Sequence, residues 1–282
     1  MTDPATSPER LTTRDGLALH LRRWPAAGPA RGTVQLVHGL GEHIGRYEHV
    51  AAALVSAGWR VVGHDHRGHG RSEGARGDVP RPDALLDDLA LVVDRVRRPG
   101  RHVLLGHSLG GLVAARFVAE GLAAVPAPFA REVDALVLSS PALDPGMNAL
   151  QKLLLALLGP LAPHLRLGNG LDPAWICRDP AVVAAYRADP LVHDRITPTL
   201  ARFIVDGGTL VRGAAPRWRV PTLLMWAGAD RCVAPAGSAA FAAAAPREVV
   251  TAREWPGLAH EIFNEPEKIR VLDALVQWLA RS

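Results

Sequence analysis

Two short stretches of the sequence have the pattern G-x-S-x-G, which holds a serine on a tight turn. They are GRSEG at 70–74 and GHSLG at 106–110. A serine held in this way attacks a carbonyl carbon once a neighbouring base has taken its proton. A site of this kind uses one nucleophile, so Ser72 and Ser108 are alternatives.

The stretches around the two serines favour Ser108. The sequence HVLLG before it predicts a buried strand, and the apolar stretch after it predicts a helix. A nucleophile elbow is a sharp strand-to-helix turn that exposes the serine hydroxyl at the top of a sheet. Glycines at 106, 110 and 111 leave room where that strand and helix nearly touch. Ser72 lies in a glycine-rich charged loop with neither element, so we predict Ser108 as the nucleophile.

A serine nucleophile needs a histidine as base and a carboxylate that orients the histidine. In enzymes with this elbow, the chain order is serine, then the acid, then histidine. Most of the twelve histidines precede Ser108, and of the later ones only His260 follows a late predicted strand. Asp230 ends the apolar stretch TLLMWAGAD and is the predicted acid. The rival acid, Asp206, is interpreted as a turn residue before Gly207.

The negative oxygen of a tetrahedral intermediate needs two backbone N–H groups around it. In this elbow the residue after the nucleophile supplies one of them, which predicts Leu109. The second is expected from the loop after the predicted strand TVQLVHG, where Leu40 is the best candidate. The alternative for HGLG is a glycine turn that only closes the strand.

This chemistry predicts no metal ion and no organic cofactor. His64, His66 and His69 in GHDHRGHGRS alternate with arginines, which repel a cation, and they lack cysteine or paired acidic support. We interpret them as part of a structured surface loop. Cys177 and Cys232 form no metal motif and are interpreted as ordinary thiols, although one bridge between them is possible.

The elements that must position these residues alternate between strand and helix, which predicts an α/β fold with parallel strands. After residue 141 the alternation stops, and the chain becomes helical and rich in leucine. We predict a mostly parallel central sheet flanked by helices, with a helical cap inserted after the sixth strand. The core would comprise residues 1–141 and 207–282, and the cap residues 142–206. Such a cap would cover the edge where open α/β sheets hold their sites.

The composition indicates an ordinary globular protein of 282 residues, 48% of them apolar and 21% charged. The basic residues are nearly all arginine and are dispersed, which argues against a nucleic-acid partner. No apolar signal segment opens the chain, and its first ten residues look like a disordered lead-in. The longest apolar stretch, at 153–163, is too short to span a bilayer. A cytoplasmic protein is expected, either free in solution or peripheral at a membrane.

Six blocks of the sequence resemble, in order and spacing, the monoacylglycerol lipase/lysophospholipase group of α/β-hydrolases. The resemblance runs from about residue 11 to 279 and is weakest at 143–175. It implies the α/β-hydrolase fold, and it explains Ser72, which falls where that group carries the loop GHGRS. The blocks are VHGLGEHIGRYEHVAAAL, DHRGHGRSEGARGDV, GHSLGG, DPLVHDRIT, WAGADRCV and GLAHEIFNEPE.

The resemblance also implies roles for individual residues. It implies Ser108, Asp230 and His260 as the triad, and Leu40 and Leu109 as the residues that line the oxyanion hole. In that group the Glu and the Arg of GEHxGRY lie near the polar head of the substrate, and the matching positions here are Glu42 and Arg46. For each of the two residues, a structural salt bridge is an equal alternative.

The cap of that group is apolar and gates a tunnel for an acyl chain. The leucine-rich stretch at 150–167 could line such a tunnel, contact a lipid surface or simply pack the cap on the core. The resemblance thus favours a monoacylglycerol as the substrate, with fatty acid and glycerol released through an acyl-enzyme on Ser108.

Other functions remain open from the sequence. A short-chain or aromatic carboxylesterase, a lysophospholipase or a peptidase would use the same triad, and perhydrolysis would use the same centre. A catalytically silent hydrolase fold that serves as a binding protein is the remote alternative. Such a protein usually lacks a triad residue, whereas all three residue types are present here.

Overall fold

The apolar, β-branched runs of the sequence form one eight-stranded sheet in the computed structural model, which describes residues 9–281. Two further strands form a separate antiparallel pair of two residues each, β7 (Leu167–Gly168) and β8 (Arg195–Ile196). The strands of the sheet are β1 (Glu9–Thr12), β2 (Ala18–Trp24), β3 (Gly32–Val37), β4 (Arg60–His64), β5 (Arg101–His107), β6 (Ala135–Ser139), β9 (Thr222–Ala227) and β10 (Val250–Trp255).

The strand order across the sheet is β1-β2-β4-β3-β5-β6-β9-β10. From β4 to β10 all neighbours are parallel, whereas β2 is antiparallel to both β1 and β4. The predicted mostly parallel sheet is therefore confirmed. Because parallel strands end at one edge, the loops after β3, β5 and β9 all lie along that edge.

The edge strand β1 was not predicted. Its first two residues, Glu9 and Arg10, belong to the stretch expected to be disordered, yet they pair with Leu21 and His20 of β2. Residues 1–8 of that stretch lie outside the described range. A four-residue, half-exposed edge strand gives almost no pattern of its own, because the backbone hydrogen bonds of β2 decide whether it forms.

Helices cover both faces of the sheet. On one face, α1 (Glu48–Ser56) and α8 (Lys268–Arg281) share an apolar cluster with the sheet. On the other face lie α2 (Ala84–Val96), α3 (Ser108–Gly121), α6 (Pro198–Ala214) and α7 (Pro235–Ala244). Since both faces are covered, β3, β6 and β9 are buried along their whole length, which explains the nearly continuous apolar runs of β6 and β9.

The chain between β6 and β9 contains two helices that bury no residue, α4 (Ala149–Leu161) and α5 (Pro180–Ala188). The next helix, α6, packs Leu200 and Phe203 into the core. The predicted boundary at 206/207 falls inside α6. Asp206 is therefore not a turn residue, and that interpretation is wrong.

The sequence VDGG resembles a turn, but α6 continues through it for a physical reason. A Cβ at Gly208 would lie 2.3 Å from the carbonyl oxygen of Leu143. Glycine is thus required for the close approach of α6 to its neighbours and does not end the helix. Asp206 lies on the exposed face of α6, 3.9 Å from Arg202.

Across residues 9–281, no helix has both the length and the hydropathy that crossing a membrane would require.

Candidate active site

Ser108 lies at the turn between β5 and α3 with a backbone φ of 54°. This left-handed conformation is unfavourable for a residue with a side chain, so the packing around the turn must enforce it. A Cβ on Gly106 would lie 2.4 Å from the carbonyl oxygen of Gly110, and one on Gly110 would lie 2.1 Å from that of Val37. The glycines of GHSLG therefore allow α3 to start directly against β3 and β5, which lifts Ser108 out of the sheet edge.

Asp230 follows β9 and is held in a fixed orientation. Its Oδ1 accepts hydrogen bonds from the backbone N–H groups of Cys232 (2.8 Å) and Val233 (3.1 Å). Its Oδ2 lies 2.7 Å from Nδ1 of His260, in the loop after β10. This contact puts the imidazole proton on Nδ1 and leaves Nε2 free to accept another proton.

The charges near His260 change its proton affinity. Burial alone would lower the pKa of His260, but the Asp230 carboxylate and its hydrogen bond outweigh burial, so the pKa is raised above 6.5. The neighbouring His107, whose ring centroid lies 4.8 Å from that of His260, behaves in the opposite way. Burial and the adjacent His260 lower the pKa of His107 to about 4, and its Nδ1 lies 3.1 Å from Oγ of Ser139. His107 is therefore a neutral brace for the loop.

Ser108 and His260 line the same cavity of about 330 Å³. Within the described chain, no hydrogen bond joins Oγ of Ser108 to His260; such bonds are often long until a substrate is bound. The chain between α4 and β8 supplies much of the cavity wall, and that wall carries polar side chains. Its cavity-lining residues are Asn169, Leu171, Asp172, Pro173, Ile176, Tyr186, Arg187, Asp189, Val192, His193 and Asp194.

The two predicted oxyanion residues lie on either side of Ser108. A Cβ on Gly39 would lie 3.1 Å from Cβ of Ser108, so the loop after β3 passes directly beside the serine. Leu40 follows Gly39 and lines the cavity. Leu109 is the second residue of α3, where the backbone N–H groups have no partner within the helix.

Glu42 and Arg46 form a buried ion-pair network with Glu261. One guanidinium nitrogen of Arg46 lies 2.5 Å from Oε2 of Glu42, and the guanidinium also donates two 2.6 Å hydrogen bonds to Glu261. Oε1 of Glu42 accepts from the N–H of Gly39 (2.6 Å) and from the hydroxyl of Tyr47 (2.7 Å). The salt bridge that the sequence left open is therefore present. Burial would raise the pKa of Glu42, but Arg46 and these hydrogen bonds lower it.

Glu261 was not predicted as a site residue. It lines the cavity next to Glu42 and completes the network around Arg46. Its position directly after the predicted base is the one signal in the sequence that could have drawn attention to it.

His64, His66 and His69 are fully buried, so their interpretation as part of a surface loop is wrong. Together with His38 they form a cluster of rings in tilted and edge-on contact, with ring centroids 4.4–6.0 Å apart. The sequence GHDHRGHGRS is typical of a polar surface loop, but these three side chains are buried. Packing that the local sequence does not encode decides their burial.

The metal-ligating side chains of residues 9–281 come close together in one place. Side-chain donor atoms of Asp230, Cys232 and His260 lie within 4.8 Å of one another. Two of these residues are the predicted acid and base. Cys177 and Cys232 are both buried and free, so the possible bridge is not formed.

A comparison with known protein families matches residues 28–267 to the model described as serine aminopeptidase, S33. The chain is 37% identical to a monoacylglycerol lipase of Mycolicibacterium smegmatis, over 91% of this chain and 90% of that protein. It is 32% identical over 97% of its length to an abhydrolase domain-containing protein of Dictyostelium discoideum, of which it spans 29%. Among solved structures, the Paleococcus ferrophilus monoacylglycerol lipase superposes with a TM-score of 0.83 at 35% identity, over 93% of this chain and 98% of that one.

Proposed function

Because the chain belongs to the serine aminopeptidase, S33 family of α/β-hydrolases, we propose that it is a serine ester hydrolase that acts on monoacylglycerols. The observation that carries the proposal is the Asp230–His260 pair, which lies in one cavity with an elbow serine. The lipases to which the chain is similar support the choice of substrate.

In the proposed reaction, Nε2 of His260 takes the proton of Ser108 while Oγ attacks the ester carbonyl carbon. The N–H groups of Leu40 and Leu109 hold the negative oxygen, and Asp230 stabilises the imidazolium. His260 then donates its proton to the leaving glycerol oxygen. A water molecule repeats these steps on the acyl-enzyme and releases the fatty acid.

We propose that Glu42 receives a hydroxyl of the glycerol. Glu42 lines the cavity, and its carboxylate is held in a fixed orientation. It can therefore accept a hydrogen bond from a glycerol hydroxyl. Arg46 would act through Glu42, because its guanidinium is already engaged by two carboxylates.

We also propose that the protein contacts a lipid surface through α4. Five of the seven leucines of this helix are exposed, whereas Leu155 and Leu158 are half-buried. None of the leucines at 150–167 lines the cavity in the described chain, which disfavours the tunnel interpretation, and the exposed five do not pack the helix on the core. A contiguous exposed apolar face of this kind suits insertion at a lipid interface. We propose a cytoplasmic location with peripheral membrane contact. The exposed leucines of α4 are Leu150, Leu153, Leu154, Leu157 and Leu161.

The test is hydrolysis of p-nitrophenyl esters from acetate to palmitate, of a 1-monoacylglycerol, and of an aminoacyl p-nitroanilide. We expect turnover of the monoacylglycerol and of medium or long esters, none of the anilide, and none of any substrate by Ser108→Ala. Anilide turnover would instead indicate a peptidase, and a short-chain optimum without glyceride turnover an esterase.

Ser72→Ala is the matched control, because it changes the other G-x-S-x-G motif. Its Oγ donates to the carbonyl oxygen of Asp65 (2.6 Å) and accepts from the N–H of His20 (2.8 Å), so it serves the fold. We expect Ser72→Ala to keep its turnover per folded molecule. An active Ser108→Ala beside an inactive Ser72→Ala would overturn the assignment.

A further inference from the structure

The loop after β3 is fixed by hydrogen bonds on both sides of Leu40. The carbonyl oxygen of His38 lies 3.0 Å from Nε2 of His66, and the N–H of Gly39 donates to Glu42. Beyond Leu40, the carbonyl oxygen of Gly41 accepts a 2.9 Å hydrogen bond from a backbone N–H of the segment between α5 and β8. Within residues 9–281, no hydrogen bond occupies the N–H of Leu40 itself.

The ring of His38 is held in one tautomer. His38 is fully buried, and its Nε2 lies 2.9 Å from the backbone N–H of His66. A backbone N–H is always a donor, so this nitrogen must accept and cannot carry the proton. The proton therefore sits on Nδ1, which lies 2.8 Å from the carbonyl oxygen of Gly39 and donates to it. Burial and the nearby His69 hold the pKa of His38 well below its usual range, so the ring stays neutral.

The hydrogen bond to Gly39 fixes the direction of the next N–H group. The carbonyl of Gly39 and the N–H of Leu40 belong to one peptide unit, which is planar and trans, since the described chain has no cis peptide bond. In a trans peptide these two groups point in opposite directions. Because the oxygen points at the His38 ring, the N–H points away from it. Leu40 lines the cavity with Ser108, whereas His38 does not.

We propose that His38 is a positioning residue of the oxyanion hole. As the neutral Nδ1–H tautomer, it holds the Gly39 carbonyl and so directs the Leu40 N–H toward the oxygen that becomes negative at the ester carbon. This inference rests on the proposed function, in which Leu40 is an oxyanion donor.

The test compares three variants at two fully buried positions, His38 and His64. His38→Leu removes both ring contacts, His38→Asn keeps an N–H donor near the Nδ1 position, and His64→Leu is the matched control. His64 is also fully buried in the same cluster of rings, but neither of its ring nitrogens has a hydrogen-bond partner in the described chain. Active sites are counted by titration with a fluorophosphonate, so that misfolded protein does not count as lost activity.

For His38→Leu we expect kcat per titrated site to fall about 10- to 100-fold, which is less than the 10²–10³ that deletion of a whole oxyanion donor costs. KM should stay within about threefold, and the acid limb of the pH profile should not move, because substrate binding and His260 are untouched. We expect His38→Asn to recover most of the rate and His64→Leu to behave as the wild type.

A trifluoromethyl ketone with a long alkyl chain supplies an independent readout, because its adduct with Ser108 places a negative oxygen in the hole. Its Ki should rise for His38→Leu by the factor by which kcat/KM falls. An unchanged kcat, an unchanged Ki or an equal loss in His64→Leu would overturn the role of His38. If His38→Leu does not fold, kcat and Ki are compared between His38→Gln and His38→Asn instead. Gln reaches the Nε2 position but has no donor near Nδ1, whereas Asn has one. Absence of ester turnover in the wild type would instead refute the proposed function.

Discussion

At the scale of single residues, the ring of His260 is subject to two opposing effects. Burial disfavours the imidazolium, whereas the Asp230 carboxylate at 2.7 Å favours it, and the pKa is raised. A base must be neutral before it accepts a proton. Activity should therefore rise with pH through a pKa above 6.5 and be lost as the pH falls below it.

Asp230→Asn tests this balance. Without this carboxylate, burial is opposed only by the weaker effects of Glu261 and Glu42, so we expect the acid limb of kcat/KM to move to lower pH. We also expect kcat to fall about 10⁴-fold, because an amide does not hold the imidazole in the required tautomer. The measurement is the pH dependence of p-nitrophenyl ester hydrolysis.

Asp206→Asn is the control for that experiment. This carboxylate was the rival acid in the sequence, and it lies exposed on α6. For Asp206→Asn we expect kcat and the acid limb of kcat/KM to be those of the wild type. An acid limb that stays in place in Asp230→Asn would contradict the assignment of the acid.

At the scale of elements, the contact of α3 with β3 positions the serine. In Gly110→Ala the new methyl group would meet the carbonyl oxygen of Val37, so α3 must move away. We expect the free energy of unfolding to fall by about 1–3 kcal/mol. We also expect a loss of kcat, because Ser108 moves with the helix. Urea denaturation and turnover per titrated site measure the two effects.

The matched control for Gly110→Ala is Gly213→Ala in α6, where a Cβ has nothing within 4 Å. We expect this change to stabilise the protein by about 0.5–1 kcal/mol and to leave kcat alone, because alanine loses less backbone entropy in a helix. Equal effects of the two substitutions would refute the close contact as the cause.

If the exposed leucines of α4 contact lipid, changes to them should slow the hydrolysis of substrates in membranes but not of substrates in solution. In the double variant Leu153→Ser, Leu157→Ser, both changed side chains are 55% exposed, so stability should change by no more than about 0.5 kcal/mol per site. We expect several-fold slower hydrolysis of monoacylglycerol in phospholipid vesicles and an unchanged rate on p-nitrophenyl acetate. Ile269→Ser changes an apolar residue on α8 that is 63% exposed, and it should alter neither rate. Slowing on both substrates would argue against lipid contact.

At the scale of the whole molecule, an ion-pair network that is buried at Arg67 and Asp88 and exposed at Asp15 ties three distant segments together. The guanidinium of Arg67, in the loop after β4, contacts Asp88 of α2 (2.6 Å) and Asp15 of the β1–β2 turn (2.7 Å). Burial raises the pKa of Asp88 despite its partner, whereas the hydrogen bond from Arg67 lowers that of Asp15. The network therefore fixes the antiparallel edge of the sheet to the helical layer.

Asp88→Ala should lower the free energy of unfolding by about 3–5 kcal/mol, because it leaves the Arg67 charge buried without that partner. The adjacent Asp87→Ala removes a more exposed ion pair with Arg81 and should cost no more than about 1 kcal/mol. Urea unfolding of both variants makes the comparison. Similar losses would show that burial of the pair does not set its contribution.

The sequence by itself determined the order and type of most elements. The runs around Ser108, Asp230 and His260 showed where strands end, because apolar periodicity and turn glycines are local signals. The resemblance to the monoacylglycerol lipase/lysophospholipase group is confirmed by the family match and by the relatives. The roles of the triad residues remain predictions, although Asp230 contacts His260 and His260 lines one cavity with Ser108.

The tertiary structure alone decided what depends on partners distant in the chain. It formed β1 on the edge of β2, continued α6 through Gly208 and buried the histidines of GHDHRGHGRS. It also joined Arg46 to Glu261 across 215 positions of the sequence. Local sequence patterns show the periodicity of apolar residues and the residue types that favour turns. They do not show which distant group will pair with a buried donor or charge. Only the packed fold supplies that group.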